Sequence, residues 1–162
     1  MHLQKHTNIQ FKQIKAAATY TVRHPVLRKG LSLSSCAFDR DEDNSTIHLG
    51  AYLENKAIGV LTLLTNNKDV QLRGMAVLET FQGKGIGKQL IAHAENLVQG
   101  QNICSLWMNA RCIAIPFYER CGYRKQGDAF ELPYGGTHFK MIKNLCDYHS
   151  CYCWLATGPL PK

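Results

Sequence analysis

The 162-residue chain reads as an α+β protein built on a mixed sheet. Three observations predict this class. Between positions 47 and 77, apolar runs rich in β-branched residues are separated by polar turns, the pattern of an antiparallel meander. Next, Leu90, Ile91, Ala94, Leu97 and Val98 recur at helical spacing. After that helix, strand-like runs resume around a second short helix, so helices follow the fourth and fifth strands. The length suits one domain. A chain of this size buries roughly two thirds of its unfolded surface and needs no covalent or metal staple.

In chain order, Ile9, Phe11 and Gln13-Ile14 give a short alternating strand. Residues 16–27 read as helical, with Tyr20, Val22, Val26 and Leu27 as the apolar side. Pro25 kinks or ends that helix, because it lacks the N–H and clashes with the preceding turn. Arg23 and Arg28 read as exposed helix charges, or as groups reaching a substrate anion. Residues 32–45 are polar and include an acidic stretch, Asp39 to Asn44. They read as a mobile surface loop or as one wall of an acceptor site.

Strands are expected over residues 47–53, 57–64 and 70–77, with turns at Glu54-Asn55-Lys56 and Asn66-Asn67-Lys68. Gly100-Gln101-Asn102 stops the long helix. A strand follows over residues 103–109, then a helix over 114–121 ended by Gly122. Tyr123-Arg124-Lys125 and Phe130-Glu131-Leu132 begin strands around a turn at Gly127-Asp128. Pro133 to Gly136 turns the chain into a last strand over residues 138–143. Residues 146–162 contain Gly158, Pro159 and Pro161 and read as a loosely packed tail after a domain over 1–145.

The chemistry concentrates between the third meander strand and the long helix. Gln82-Gly83-Lys84-Gly85-Ile86-Gly87-Lys88 places three glycines on alternate positions. The first N–H groups of a helix lack intrahelical partners and point along the positive end of its dipole. Glycines clear side chains away from them and allow positive φ. The result is a cradle for phosphate or pyrophosphate, with Lys84 and Lys88 at its rim. The P-loop spacing is not met, since only three residues separate Gly83 from Gly87-Lys88 and Gln89 replaces the required hydroxyl. The dinucleotide fingerprint fails too, because its third glycine comes one residue early.

Composition narrows the partners. Apolar residues make up 45% of the chain, an ordinary globular share. No apolar run approaches the roughly 20 residues of a membrane span, and Met1 to His6 lacks the apolar core of a signal peptide. The seven cysteines are odd in number and scattered, which argues for reduced thiols in a cytoplasm. Cys146, Cys151 and Cys153 lie near His149 but match no zinc spacing, so no metal is expected. The net charge of +7 fits a polyanionic small ligand. It also fits nucleic acid, the weaker reading in the absence of a basic run or an aromatic-interleaved stripe.

Gln82-x-x-Gly85-x-Gly87, preceded by Met75-Ala76-Val77, resembles the acetyl-CoA pyrophosphate loop of the GNAT superfamily of N-acetyltransferases. A second match follows about thirty residues later. Ala114, Tyr118, Gly122 and Tyr123 stand where that family commonly has Ala, Tyr, Gly and Phe. Arg111 stands where the family usually has asparagine. The resemblance covers roughly residues 8–145. It implies a mixed, mostly antiparallel central sheet of about six to seven strands flanked by about four helices. It also implies a splay between the fourth and fifth strands, and dimers are common among such proteins.

The same resemblance implies acetyl-CoA as co-substrate and an amine of a small molecule or peptide as acceptor. The pantetheine arm would pair with the backbone of Met75, Ala76 and Val77 like an added strand. The pyrophosphate would sit on the N–H groups of Gln82, Gly83, Lys84, Gly85, Ile86, Gly87 and Lys88, with Arg111 meeting a phosphate or pantetheine oxygen. Transfer needs a neutral amine. A lysine-like amine near pH 7 is deprotonated in only about one molecule in a thousand, a deficit of roughly 4 kcal/mol. Transfer also needs oxyanion donors, for which the Val77 N–H is placed, and a proton for the leaving thiolate, the role the family gives to the tyrosine at Tyr118. The base stays open: Gln71, Arg73 and Met75 are poor bases, Glu79 adjoins solvent, and Glu131 and His138 are reachable from late strands. Amino acids, polyamines, antibiotics and protein amines all fit as acceptors. A non-catalytic acyl-CoA-binding or sensing module on the same fold is the alternative, and a basic nucleic-acid-binding domain is the third reading.

Overall fold

The computed structural model describes residues 8–146. The tail beyond Cys146, with His149, Cys151 and Cys153, lies outside the described residues. In order, the elements are β1 (Ile9–Ile14), α1 (Tyr20–Leu27), β2 (Ile47–Leu53), β3 (Lys56–Asn66), β4 (Asp69–Val77), α2 (Ile86–Gln99), β5 (Ser105–Arg111), α3 (Ile115–Arg120), β6 (Arg124–Lys125), β7 (Phe130–Leu132) and β8 (Gly136–Asn144). They form one 8-stranded sheet in the order β1-β2-β3-β4-β5-β8-β6, with β7 also on β8. Every pairing is antiparallel except β4 with β5. This is the expected mixed, mostly antiparallel α+β sheet, extended because both short runs after Tyr123 pair with β8. Short 3-10 turns at Ala16–Thr19, Leu33–Cys36, Glu79–Phe81 and Cys112–Ala114 stand in for further α-helix.

The sheet is covered on both faces, and β3 shows why. Its residues from Ile58 to Leu64 are all buried, so the strand carries apolar side chains almost without alternation. On one face α2 presents Ile86, Leu90, Ile91, Ala94 and Val98, the helical stripe read from the sequence. The approach is close: a Cβ on Gly59 would come 3.0 Å from Leu90 Cδ1. On the other face α1 sets Val22 against Val60 and Ala76. That helix ends at Leu27, soon after Pro25, where the Arg28 N–H bonds back to the Arg23 and His24 carbonyls. No helix among the described residues is long and apolar enough to cross a membrane.

Two irregularities in β4 prepare the site. β4 and β5 pair in parallel only from Asp69–Ser105 to Gln71–Trp107. Beyond Gln71 the two strands part, and among the described residues the edge of β4 from Leu72 to Val77 has no strand beside it on that side. The second irregularity is a bulge: Val60 faces Ala76 but Thr62 faces Arg73, so Leu61 opposes both Gly74 and Met75. Gly74 has φ +57, and a Cβ there would come 2.9 Å from the Phe38 ring and 3.0 Å from Arg23 Nε. Only glycine suits both the backbone and the space.

Candidate active site

The open edge of β4 presents backbone groups that the sheet leaves unused. The Leu78 N–H donates to the Ile58 carbonyl of β3 at 2.9 Å. N–H groups alternate sides along a strand, so the Val77 N–H and C=O point away from β3, into the splay. The Val77 carbonyl there accepts a hydrogen bond from Gln82 Nε2 at 2.9 Å. That bond ties the first residue of the glycine loop to the end of the strand.

The loop turns through Gly83 at φ +74 and Gly85 at φ +81, and Gly85 is the left-handed residue that opens α2. No side chain caps this helix start. The first helical hydrogen bond runs from the Gln89 N–H to the Gly85 carbonyl, which leaves the N–H groups of Ile86, Gly87 and Lys88 unspent by the helix. Gly87 is required for packing, since a Cβ on it would lie 2.9 Å from Met75 Cε and 3.2 Å from Phe117 Cζ. A cleft of about 570 Å³ runs along this edge, lined by Met75, Ala76, Val77, Gln82, Gly83, Gly85, Ile86, Gly87, Lys88 and Tyr118. Lys84 stands outside that lining, its ammonium 5.5 Å from the ring of Phe81. Arg120 also borders the cleft and adds a cation the motif did not predict.

A second cleft, again about 570 Å³, opens on the other side of Met75. Val26, Met75, Gln82, Ala114 and Tyr118 border both clefts. Tyr118 thus sits where the two spaces meet. Its side chain is buried, edge-on to Phe117 at 5.1 Å and to Tyr123 at 6.1 Å. Among the described residues its hydroxyl finds only the soft sulfur of Met75, at 3.7 Å. Burial, with a smaller push from the Cys121 thiol, raises its pKa to about 12. The phenol therefore holds its proton at neutral pH.

The second cleft is lined by Arg28, Arg73, Arg111, Asn109, Tyr134 and His138, among others. His138 is buried, and its Nδ1 bonds to the Gly136 carbonyl at 2.6 Å. A carbonyl only accepts, so Nδ1 carries the hydrogen, and in the neutral ring Nε2 keeps a bare lone pair. Glu131 is exposed and takes the Thr137 hydroxyl, and Glu79 is exposed outside both linings. Arg111 borders this second cleft and is absent from the first, apart from the loop residues that the motif groups with it.

Behind this cleft lies a buried polar network that the sequence did not disclose. Arg23 is not an exposed helix charge; it is fully buried. Its Nη1 donates to Asp41 Oδ2 at 2.5 Å and to the Cys36 carbonyl at 2.8 Å, and its Nη2 donates to Thr62 Oγ1 at 2.7 Å. Asp41, from the acidic stretch read as a surface loop, is buried with it. His48 Nε2 bonds to the Asp41 carbonyl at 2.8 Å, and His48 Nδ1 meets Thr62 Oγ1 at 2.7 Å. Thr62 therefore accepts from Arg23 and donates to His48. Asp41 Oδ1 also receives Arg73 Nη2 at 3.0 Å. Burial raises the Asp41 pKa, but the hydrogen bonds from Arg23 and the Phe38 N–H, with the charges of Arg23 and Arg73, outweigh it and hold the carboxyl below the ordinary carboxylate range. Opposite charges on the first helix and the acidic loop were the only signal in the sequence.

A splayed sheet edge facing a glycine-opened helix is the framework of an acyl-CoA-dependent N-acyltransferase. The family model described as "Acetyltransferase (GNAT) family" matches residues 13–123. The chain belongs to this family of acetyl-CoA-dependent acyltransferases. It is 31% identical over 144 residues to a Bacillus subtilis (strain 168) protein named "Uncharacterized N-acetyltransferase YitI", covering 85% of this chain and 97% of the relative. Two solved structures share the fold. The ribosomal-protein-S18-alanine N-acetyltransferase of Escherichia coli matches with TM-score 0.72 at 15% identity, over 85% of this chain and 94% of that one. An aminoglycoside 6'-N-acetyltransferase complexed with coenzyme A matches with TM-score 0.71 at 12% identity, over 85% and 98%.

Proposed function

We propose that the protein moves an acetyl group from acetyl-CoA to a primary amine of a small molecule or peptide by direct attack. The observation that carries this reading is the position of Tyr118, a protonated phenol bordering both a glycine-cradled cleft and a second cleft. The pyrophosphate rests on the N–H groups at the start of α2, near Lys84, Lys88 and Arg120. The pantetheine arm runs along the free edge of β4. That path brings the thioester carbonyl to the Val77 N–H, which stabilises the oxyanion of the tetrahedral intermediate. The amine nitrogen then bonds to the carbonyl carbon, the carbon–sulfur bond breaks, and Tyr118 gives its proton to the departing sulfur. His138 Nε2, directly or through one water, takes the proton the amine sheds. A sensing module alone has no use for the second cleft or for a phenol shared between the two.

Two results test the reading. Calorimetry with coenzyme A is expected to show binding that falls about tenfold or more in Gly85→Glu, because the new residue is strained at positive φ and puts a carboxylate in the anion cradle. The side-chain space at Gly85 is open, its nearest neighbour being Gln89 Nε2 at 3.8 Å, so the variant folds. Unchanged binding removes the cradle from the argument. For the base, His138→Gln is expected to lower kcat about tenfold. A wild-type kcat in that variant assigns the base elsewhere.

A further inference from the structure

We propose that the second cleft selects an amine that also carries an anion, a carboxylate or a phosphate, which Arg111 and Arg28 hold. The proposal deepens the transferase reading and rests on it for the amine.

Among the described residues, three arginines line the cleft, Arg28, Arg73 and Arg111, and no aspartate or glutamate does. The buried carboxylate behind them, Asp41, already serves two guanidinium groups, Arg23 and Arg73. Asp39 offers Arg73 its backbone carbonyl, while its side chain belongs to an exposed residue. Arg28 bonds through Nε to the Ser35 carbonyl and through Nη1 to the Leu27 carbonyl, and its guanidinium lies 4.8 Å from both the Phe38 and Tyr134 ring centroids. Carbonyls and ring faces orient a cation without cancelling its charge.

Arg111 is the least compensated of the three. Among the described residues no ion pair engages it, though it is half-buried. Its side chain lies flat against Gly135, where a Cβ would come 2.5 Å from Nε. Gly135 at φ +100 leaves room for that contact. The stem is thus fixed while the head lacks a counter-charge, which suits a guanidinium meant for bidentate contact with a planar carboxylate or a phosphate. The phosphates of the coenzyme do not meet this need, because Arg28 and Arg111 border only the second cleft. Arg111 is also the register partner of His138 across β5 and β8. The anion therefore sits beside the group that receives the amine proton. The same cations repel polyamines and other polycationic acceptors.

The test pairs acceptors that differ only in the anion, with coenzyme A release as the readout. Amino acids are compared with their carboxamides, and phosphoethanolamine with ethanolamine. The expected result is at least a tenfold higher kcat/KM for the anionic member of one pair, and the pair that responds names the anion. Arg111→Gln is expected to raise the KM of that acceptor about tenfold or more while the KM for acetyl-CoA stays within about twofold, and Arg111→Lys is expected to recover part of the loss. Independently of turnover, nuclear magnetic resonance titration of the protein with inorganic phosphate and with acetate is expected to shift the Arg111 Nε–H signal. Equal use of both members of each pair, or higher use of spermidine, together with an unmoved Arg111 signal, overturns the proposal and leaves acetyl transfer standing. Failure of acetyl-CoA to bind overturns the transferase reading, whatever the titration shows.

Discussion

Tyr118→Phe is expected to lower kcat about hundredfold while the affinity for acetyl-CoA changes less than about twofold. The two halves of this result have separate causes. Phenylalanine keeps the ring that packs edge-on to Phe117 and Tyr123, so the wall shared by the two clefts keeps its shape. What it removes is a hydroxyl that, among the described residues, has no strong partner of its own, only the Met75 sulfur. A group kept this unsatisfied is available to the sulfur that leaves the tetrahedral intermediate. Loss of an interaction made mainly in the transition state lowers kcat and kcat/KM together. The pH dependence has a definite sign. Burial raises the phenol pKa to about 12, so its proton stays in place between pH 7 and about 10, and no descending limb belongs to Tyr118 in that range. Steady-state kinetics with thiol detection, alongside calorimetry with acetyl-CoA, reads both halves. A variant with wild-type kcat ends the acid assignment.

Asp41→Asn is expected to cost about 3–5 kcal/mol of stability, the range for removing one partner of a buried ion pair. Arg23 is fully buried and Asp41 nearly so, so asparagine leaves one guanidinium without a counter-charge and loosens its hold on Arg73. Against the roughly 5–15 kcal/mol that a domain has in all, this is a large fraction. Thermal unfolding is expected to fall by about 10 °C. The acid dependence follows from the depressed Asp41 pKa. A carboxylate whose folded pKa lies below its unfolded value contributes stability that is full above the unfolded value, and loses it as pH falls through the folded one. Wild type therefore loses stability on acidification below about pH 4, where its own folded value lies, and Asp41→Asn lacks that part of the decline. Equal melting temperatures for the two proteins near neutral pH contradict this account.

The features legible in the sequence were those set by local rules. The meander, α2 and the glycine loop follow from periodicity, turn chemistry and positive φ, all of which a short window of residues shows. The cleft beside the glycine loop follows from them, because Met75 to Val77 and Gln82 to Lys88 are near neighbours in the chain. The second cleft was not legible. Arg28, Phe38, Arg73, Asn109 and Tyr134 come from widely separated positions and carry no common spacing. Arg23 and His48 were hidden for a related reason: a charged residue on a short helix reads as solvated until its partner, here Asp41, is brought to it by the tertiary fold. Arg111 was visible as a residue in an unusual place. Its cleft was not, because which side of the splay it borders depends on how β5 diverges from β4.

The extra residue in β4 at Gly74–Met75 decides more than a bend. A chain alternates its amide directions residue by residue, so an odd insertion reverses the parity of everything that follows it. Upstream of the bulge the parity serves the core; downstream it turns the Val77 amide outward. One glycine thus works as a polarity inverter: a regular strand through the same residues, with Gly74 and Met75 each paired one-to-one, would set Val77 opposite Ile58 and send its amide back toward β3.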